Sequence, residues 1–331
     1  MYTTKPGYIS LYETGELENR AHNLEDRLAA CDICPRKCGV NRNLDEEGFC
    51  HSGRSPIVSS VCAHQGEEPA ISGFRGSGTI FFSNCNLRCV FCQNYQISQN
   101  WRNQAHNVID CQALAKKMLY LQNELSCHNI NLVSPSHFIP QIVRAVFKAV
   151  PVGLHIPLVY NTNSYDSMET LKELDGIIDI YLPDIKYASD NSSVKYSQAP
   201  GYTGISRAAI KEMYRQVGDL EVDDNGVAVR GVIVRHLVLP NRLAGSEDSL
   251  TWLANEVSAS VTVSIMAQYS PMHKAPRVPL LSRKVSLNEY QNVRELVSDL
   301  GLDNGWVQDM VSSEIYIPDF EKEGHPFQPS A

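Results

Sequence analysis

Three cysteines lie within eight residues, in the segment Cys85-Asn86-Leu87-Arg88-Cys89-Val90-Phe91-Cys92. Cysteine thiolates are the usual ligands of iron–sulfur clusters, and a 4Fe–4S cluster normally takes four of them. This Cys-x3-Cys-x2-Cys set offers three, so one iron of a bound cluster would stay open to another ligand. A zinc knuckle is the alternative that the spacing leaves open.

Four further cysteines, Cys31, Cys34, Cys38 and Cys50, have a spacing that lets them converge on one tetrahedral centre. Zinc and a second 4Fe–4S cluster both accept four thiolates, and the spacing does not separate them. Small buried thiols without a metal are the third alternative. The Cys34-Pro35 pair is typical of ferredoxin-type ligand runs and favours the cluster. Such a closed site would be structural or would relay electrons.

The segments that must position these residues alternate between apolar strands and helices. The predicted strands are residues 79–83, 129–134, 156–160, 177–182, 231–239 and 261–267. The predicted helices are residues 110–125, 140–150, 168–174, 204–217, 246–258 and 286–300, with a short helix in 17–30, a loop at 188–203 and an edge strand at 313–317.

Six strand–helix alternations indicate an α/β fold with a parallel sheet that curls toward a barrel. Six strands are two short of the eight in a TIM barrel, so we predict a partial (β/α)6 TIM-like barrel with an open side. The predicted organisation is a Cys-rich N-terminal extension at 1–75, the barrel at 76–310 and a tail at 311–331.

Chemistry in such barrels gathers at the carboxyl ends of the strands, and polar residues follow the predicted strands here. Asp184 and Lys186 are two residues apart, so their side chains point the same way. Arg235 and His236 are neighbours within one strand, so only one of them can face the interior. The candidates at the strand ends are Ser134, Ser136, Asn161, Asn163, Asp184, Lys186, Arg235 and Gln268.

Composition excludes several classes of protein. Of the 331 residues, 43% are hydrophobic and 20% are charged, as in a folded globular protein. The net charge of −8 argues against nucleic-acid binding, which usually needs a basic surface. We see no membrane-spanning run and no signal peptide, and ten cysteines without a secretion signal suggest metal ligands or free thiols. We therefore expect a cytoplasmic protein that binds neither nucleic acid nor membrane.

The motifs together resemble the radical S-adenosylmethionine (SAM) superfamily, in particular the proteins related to pyruvate formate-lyase activating enzyme. The resemblance covers nearly the whole chain, and its specific part is the three-cysteine motif with Phe91. The other matching motifs are Cys31-x2-Cys34-Pro35-Arg36-x-Cys38-Gly39, His64-x-Gly66-Glu67-Glu68-Pro69, Gly76-Ser77-Gly78-Thr79-Ile80-Phe81-Phe82, Tyr160-Asn161-Thr162-Asn163, Leu182-Pro183-Asp184-Ile185-Lys186 and Arg235-His236-Leu237-Val238-Leu239-Pro240.

The resemblance implies that Cys85, Cys89 and Cys92 bind a 4Fe–4S cluster. In the superfamily the open iron binds the amino and carboxylate groups of SAM, and the aromatic residue packs near its adenine. One electron from the cluster, itself reduced by a donor such as flavodoxin or ferredoxin, splits SAM to a 5′-deoxyadenosyl radical. That radical takes a hydrogen atom from the substrate, so no protein side chain is predicted to be catalytic.

Several residues are candidates for holding SAM. Lys186 is expected to pair with the SAM carboxylate, and Asp184 to organise the charges beside it. Ser134 and Ser136 stand where many family members carry a Gly-Gly-Glu segment that holds the SAM amino group. The remaining candidates for the SAM or substrate site are Asn161 and Asn163 for ribose or the amino acid moiety, Gln268 for adenine or substrate, and Arg235 if it faces the interior.

The family resemblance implies a glycine of a glycyl radical enzyme as the substrate, reached through the open side of the barrel. Radical modification of another protein or of a small molecule is the second hypothesis. Residues 188–203 and 319–331 would then be the lid. A non-catalytic iron–sulfur electron carrier is the third, although a carrier would be expected to close its cluster with a fourth ligand.

Overall fold

The computed structural model describes residues 5–310, 317–322 and 325–327. The edge strand expected at 313–317 lies outside these residues except for Ile317. The predicted tail at 311–331 is described only in its two short stretches.

Nine strands in the described part of the chain form one sheet. They are β1 (Val58–His64), β2 (Ser77–Phe82), β3 (Ile130–Val133), β4 (Leu158–Thr162), β5 (Ile180–Pro183), β6 (Glu221–Val222), β7 (Ala228–Leu237), β8 (Thr262–Met266) and β9 (Gly305–Val307). The order is β1-β2-β3-β4-β5-β7-β8-β9, with β6 paired to β7. Strand β1 is antiparallel to β2, and the strands from β2 to β9 along this order are parallel.

Strands β2, β3, β4, β5, β7 and β8 are the six that the sequence predicted, so the partial barrel is confirmed. Strands β1 and β9, which the sequence analysis missed, extend the sheet at its two edges. Along β2, Gly78 allows close packing, because a Cβ there would lie 2.7 Å from the carbonyl oxygen of Asn129. The parallel sheet with helices outside explains why every residue of β2, β3, β4, β5 and β8 is buried.

Eleven α-helices occur in the described residues. They are α1 (Gly7–Glu13), α2 (Glu16–Asp26), α3 (Pro69–Ser72), α4 (Tyr95–Ser98), α5 (Cys111–Asn123), α6 (Ile139–Ala149), α7 (Met168–Glu173), α8 (Asp190–Ser197), α9 (Tyr202–Val217), α10 (Ser246–Glu256) and α11 (Leu287–Asp299). Asp110, the N-cap of α5, accepts a hydrogen bond from the Ala113 N–H at 2.6 Å, and Ser286 forms a capping box with Glu289. No helix within the described ranges is long and apolar enough to cross a membrane.

Residues 188–203 were predicted as a loop, and that prediction is wrong, because they contain α8 and the first turn of α9. An eight-residue helix with a polar first turn is marginal on its own. Helix α8 is instead stabilised by the cysteine segment: the N–H groups of Arg88 and Val90 donate to the carbonyl oxygens of Ser197 and Tyr196 at 2.9 and 2.8 Å. A tertiary contact of this kind leaves no local sequence pattern.

The N-terminal extension packs on the barrel and shares its core. Tyr8, Leu17 and Leu24 are fully buried in the same hydrophobic cluster as the sheet and outer helices. The Tyr8 hydroxyl donates to the carbonyl oxygen of Ile156 at 2.8 Å. Arg42, also buried, donates through Nη1 to the carbonyl oxygen of His137 at 2.7 Å.

Strand register decides which side chains face the barrel interior, because paired residues of neighbouring strands lie on the same face. The first inward row is Phe81, Val133 and Asn161, on β2, β3 and β4. The second row is Asp184, Arg235, Ser264 and Trp306, at the end of β5 and on β7, β8 and β9. Arg235 therefore faces the interior, and His236 points to the outer helices, where its Nε2 is 2.9 Å from Ser246 Oγ.

The side of the barrel between β1 and β9 is covered in part by the described tail. The rings of Phe320 and Phe327 lie 5.1 and 5.9 Å from the ring of Phe81 on β2. His325 Nε2 is 3.0 Å from the carbonyl oxygen of Ala63 on β1. The tail thus packs along the β1–β2 edge of the opening.

Candidate functional site

A cavity of about 580 Å³ opens at the carboxyl ends of the strands. Both inward rows of strand residues line it, as do the three clustered cysteines and part of the tail. A cavity of this size holds a small organic molecule. Because the lining comes from most of the parallel strands, the barrel itself shapes the site.

Cys85, Cys89 and Cys92 lie together on the wall of this cavity. The first two are buried and the third is half-buried. Each sulfur is close to a polar group that can donate a hydrogen bond. The pairs are Leu87 N and Asn163 Nδ2 with Cys85 Sγ at 3.4 and 3.5 Å, Ser197 Oγ with Cys89 Sγ at 3.0 Å, and Ser98 Oγ with Cys92 Sγ at 3.1 Å.

Burial raises the pKa of the Cys85 thiol to about 11 and that of Cys92 to about 12. Burial also raises the pKa of Cys89, while the positive charge of Lys186 opposes that rise. The thiols are therefore protonated at neutral pH, and metal binding must release their protons. Three thiols with nearby donors, a neighbouring cation and an adjoining cavity fit a cluster that is bound by three thiolates and open on one side.

Asp184 and Lys186 form a partly buried ion pair inside the cavity, with Lys186 Nζ 2.6 Å from Asp184 Oδ2. Burial lowers the pKa of Lys186, but Asp184 and the sulfurs of Cys89 and Cys92 outweigh burial, so the pKa is raised. Lys186 is therefore a cation between the cysteines and Asp184. With side chains only 18% and 19% exposed, Lys186 and Asp184 are not a surface ion pair.

Arg235 lies on the other side of Asp184 and joins a buried group of carboxylates. Its Nε is 3.8 Å from Asp184 Oδ1 and 3.3 Å from Glu68 Oε1, and its Nη1 is 3.5 Å from Glu67 Oε2. Burial raises the pKa of Glu67 to about 7 despite the opposing charge of Arg235. A continuous ion network therefore crosses the cavity from Lys186 to Glu67.

The other predicted SAM-site residues differ in where they lie. Phe91, Ser134, Asn161, Asn163 and Gln268 all line the cavity. Ser134 has a φ of 57°, a left-handed conformation that glycine adopts at least cost.

Ser136 is not among the cavity-lining residues. It is fully buried, and its Oγ is 3.2 Å from Thr162 Oγ1, in a network that continues to Asp166. In the structure the Ser136 hydroxyl faces Thr162, and its direct contact with SAM stays a prediction. That hydroxyl supports the end of β4 from behind.

The four N-terminal cysteines also come together, away from the cavity. Cys31, Cys34 and Cys50 are buried and Cys38 is exposed. Burial and then the charge of Cys50 raise the pKa of Cys34, with smaller contributions from Cys31 and Cys38. Gly48 fits against them, since a Cβ there would lie 2.4 Å from Cys38 Sγ.

In the described parts of the chain, no group of three or more Cys, His, Asp or Glu side chains is arranged to hold a single metal ion.

Two arginines connect the two cysteine groups. The ring of Phe49, next to Cys50, has the guanidinium of Arg36 at 3.6 Å and that of Arg88 at 4.5 Å from its centroid. Arg36 donates to the carbonyl oxygen of Asn86 at 3.0 Å, and Arg88 donates to that of Phe49. The cysteine segments are thus held against each other.

Sequence analysis missed several residues of the site. Glu67 and Glu68 stood in a quoted motif, and their paired carboxylates next to a proline could have been identified as candidates. Ser98 and Ser197, whose hydroxyls lie beside the cysteine sulfurs, carried no such signal, because their proximity to the cysteines depends on the fold.

Two comparisons extend these observations. Residues 79–241 match the model of the radical SAM superfamily. The chain is also 30% identical, over 276 residues, to an uncharacterized protein of Methanocaldococcus jannaschii. That alignment covers 82% of this chain and 75% of the archaeal protein, including much of the chain beyond the matched domain.

Metal analysis tests the N-terminal cysteine group. If Cys31, Cys34, Cys38 and Cys50 bind a second cluster, anaerobically purified protein should contain about eight irons per chain. About four irons and one zinc would instead indicate a zinc site. Cys34→Ala should remove only the metal of this group, and about four irons with no zinc in the unsubstituted protein would contradict a second site.

Proposed function

The chain belongs to the radical SAM superfamily, and on this basis we propose that Cys85, Cys89 and Cys92 bind a 4Fe–4S cluster for a reaction on a polypeptide. When bound, the cluster supplies the electron that splits SAM into methionine and a 5′-deoxyadenosyl radical. The observation that carries the proposal is the set of three thiols on one cavity wall, each with a polar neighbour at its sulfur and Lys186 nearby.

The protein's own contribution is to hold SAM and to keep water out. Lys186 can pair with a carboxylate, because it carries a positive charge at the cavity wall and its hydrogen bond to Asp184 uses one of the three N–H donors of its ammonium group. Asn161 and Asn163 present amide groups at the end of β4 for hydroxyl or amino groups. Phe91 offers an aromatic surface, with the ring of Tyr269 at 5.8 Å.

The proposed substrate is a polypeptide, with a glycine of a glycyl radical enzyme as the specific candidate. Among the described residues no strand closes the barrel between β1 and β9, and the described tail packs on the β1–β2 edge and on α4. A radical must be shielded from water and stray hydrogen donors, so a substrate that seals the opening as it binds suits this shape. A small molecule is the second candidate, favoured by Pro318 and Phe327 of the tail, which line the cavity.

The N-terminal cysteines are proposed to hold a second, closed metal site. An external one-electron donor such as flavodoxin or ferredoxin would meet the exposed Cys38 side. The contact of the Phe49 ring with Arg36 and Arg88 connects this group to the segment that carries Cys85 and Cys89. A relay is the proposed role, with structural support as the alternative.

Replacing one cluster ligand tests the proposed cofactor. Cys89→Ala should lose the visible absorption of the cavity cluster and the formation of 5′-deoxyadenosine from SAM under reducing conditions, because two thiolates do not hold the cluster. Cys111→Ala on α5, outside both cysteine groups, is the matched control and should keep both. Product formation by the Cys89→Ala protein at the control rate would rule out the assignment.

Removing the cavity cation tests the SAM site. Lys186→Ala should weaken SAM binding by about ten- to a hundred-fold, because a charge-assisted hydrogen bond contributes roughly 1.5–3 kcal/mol. The measurement is a calorimetric titration of SAM into oxidised protein of unchanged iron content. Lys211→Ala, at an exposed position of α9, should have no effect, and an equal affinity in the two variants would show that Lys186 does not contact SAM.

Electron paramagnetic resonance tests the substrate class. Reduced protein, SAM and a candidate glycyl radical enzyme should together give a stable glycyl signal that neither protein gives alone. Deuteration of that enzyme's glycines should transfer deuterium to 5′-deoxyadenosine. Turnover that requires only a small metabolite would reject the polypeptide substrate and favour the second candidate.

A further inference from the structure

Glu67 and Glu68 line one end of the cavity, and the proposed handling of the cluster and SAM gives them no role. They follow β1 in the loop that leads into α3. Arg235 separates them from Asp184, and Asp184 in turn separates Arg235 from Lys186 and the cysteines. This Glu67–Glu68 end is therefore the part of the cavity beyond the residues assigned to SAM.

The buried ion network has no excess of positive charge. Lys186 and Arg235 carry two positive charges against the three carboxyl groups of Asp184, Glu67 and Glu68. Glu67 is only partly ionised at neutral pH, because burial raises its pKa to about 7. The neighbouring His64 adds no positive charge at neutral pH, because burial lowers its pKa to about 4. The Glu67–Glu68 end is thus poor in cations.

Glu68 has an unmet hydrogen-bonding requirement, and in the same network Arg235 Nε and Asn131 Oδ1 also have no hydrogen-bond partner among the described residues. The Glu68 side chain is only 6% exposed, and its Oε1 faces Arg235 Nε at 3.3 Å. Among the described residues, its Oε2 has no hydrogen-bond partner. Glu67, in contrast, accepts a hydrogen bond from Asn131 Nδ2 at 3.0 Å. A buried carboxylate oxygen without a donor is costly, so a donor from a ligand would be favourable there.

The nature of the ligand follows from these charges. A substrate carboxylate or phosphate would meet the carboxylates that already surround Arg235 and would be repelled. A group with N–H donors would satisfy Glu68 Oε2 and, if positively charged, would also balance the network. The wall beside it is aromatic, since the ring of His64 stacks on that of Phe327 with centroids 4.2 Å apart.

We propose that the Glu67–Glu68 end of the cavity is the substrate subsite and binds a nitrogen group of the substrate that donates hydrogen bonds. That group is a peptide N–H or a protonated amine. The inference rests on the proposed function, because it assigns SAM to the Lys186 side and the substrate to the opposite side of Asp184.

The test uses small probes with the oxidised protein, in the presence and absence of SAM, so that no turnover occurs. N-acetylglycinamide represents a peptide N–H, n-butylammonium represents an amine, and butyrate is the anionic control. Saturation-transfer NMR should show saturable binding of at least one nitrogen probe and none of butyrate. The nitrogen probe that binds more tightly identifies the source of the donor. Absence of saturable binding by both, or equal binding of butyrate, would overturn the proposal.

A variant then locates the binding. Glu68→Gln removes the charge and keeps the shape, so it should weaken the affinity for the bound nitrogen probe, by about tenfold or more for the ammonium, whose charge-assisted bond it removes. Glu124→Gln, at an exposed position after α5, is the matched control and should bind like the unsubstituted protein. Unchanged affinity in folded Glu68→Gln protein would place the probe elsewhere and overturn the assignment. If that variant does not fold, the probe comparison in the unsubstituted protein decides.

This experiment is independent of the proposed reaction. A protein that binds the nitrogen probes but does not cleave SAM would keep the subsite and reject the radical SAM activity. A protein that cleaves SAM but does not bind the nitrogen probes better than butyrate would keep the activity and reject the subsite.

Discussion

The pairing of Arg235 with buried carboxylates is the interaction on which the cavity depends. A guanidinium inside a barrel is tolerated only when charged partners replace its water. Its partners come from the loop after β1, through Glu67 and Glu68, and from the end of β5, through Asp184. The Arg235 side chain thus connects the loop after the antiparallel edge strand β1 to the centre of the parallel sheet. Without it, the three carboxylates would repel one another at the base of the cavity.

The same network orients Lys186 on the opposite side. Asp184 is shared, with Oδ2 bonded to Lys186 and Oδ1 facing Arg235. The Lys186 charge is therefore held at the wall where the cysteine sulfurs lie. Helix α8 fixes the cysteine segment from behind through Ser197, whose hydroxyl also bonds the Cys89 sulfur. Position and charge at the site are thus set by elements far apart in the sequence.

Features formed by residues close together in the chain could be predicted from the sequence. The three cysteines and Phe91 lie in one short segment, so the cysteine spacing together with Phe91 favoured a cluster over a zinc knuckle. Strand–helix alternation predicted the barrel, because buried parallel strands are continuously apolar. Strand β1 was not predicted, because Val58–His64 mix small, polar and apolar residues. The strand also lies at the edge of the sheet, where it pairs antiparallel with β2.

Features that depend on register or on distant contacts could not be predicted. The choice between Arg235 and His236 required the pairing of Arg235 with Asp184 and Ser264. Ser136 was assigned to SAM because it stands where many members of the family carry a Gly-Gly-Glu segment, but in the structure its hydroxyl lies beside that of Thr162. The approach of Arg36 and Arg88 to Phe49 joins segments about fifty residues apart, and no spacing rule reports it.

The most direct measurement is electron paramagnetic resonance of the anaerobically reduced protein before and after addition of SAM. The central claim is that the cavity holds a 4Fe–4S cluster with three thiolate ligands and an open iron. The account predicts a reduced-cluster signal whose g values shift when SAM is added, in the unsubstituted protein and equally in Cys34→Ala protein. A signal that SAM leaves unchanged in both proteins would contradict the account.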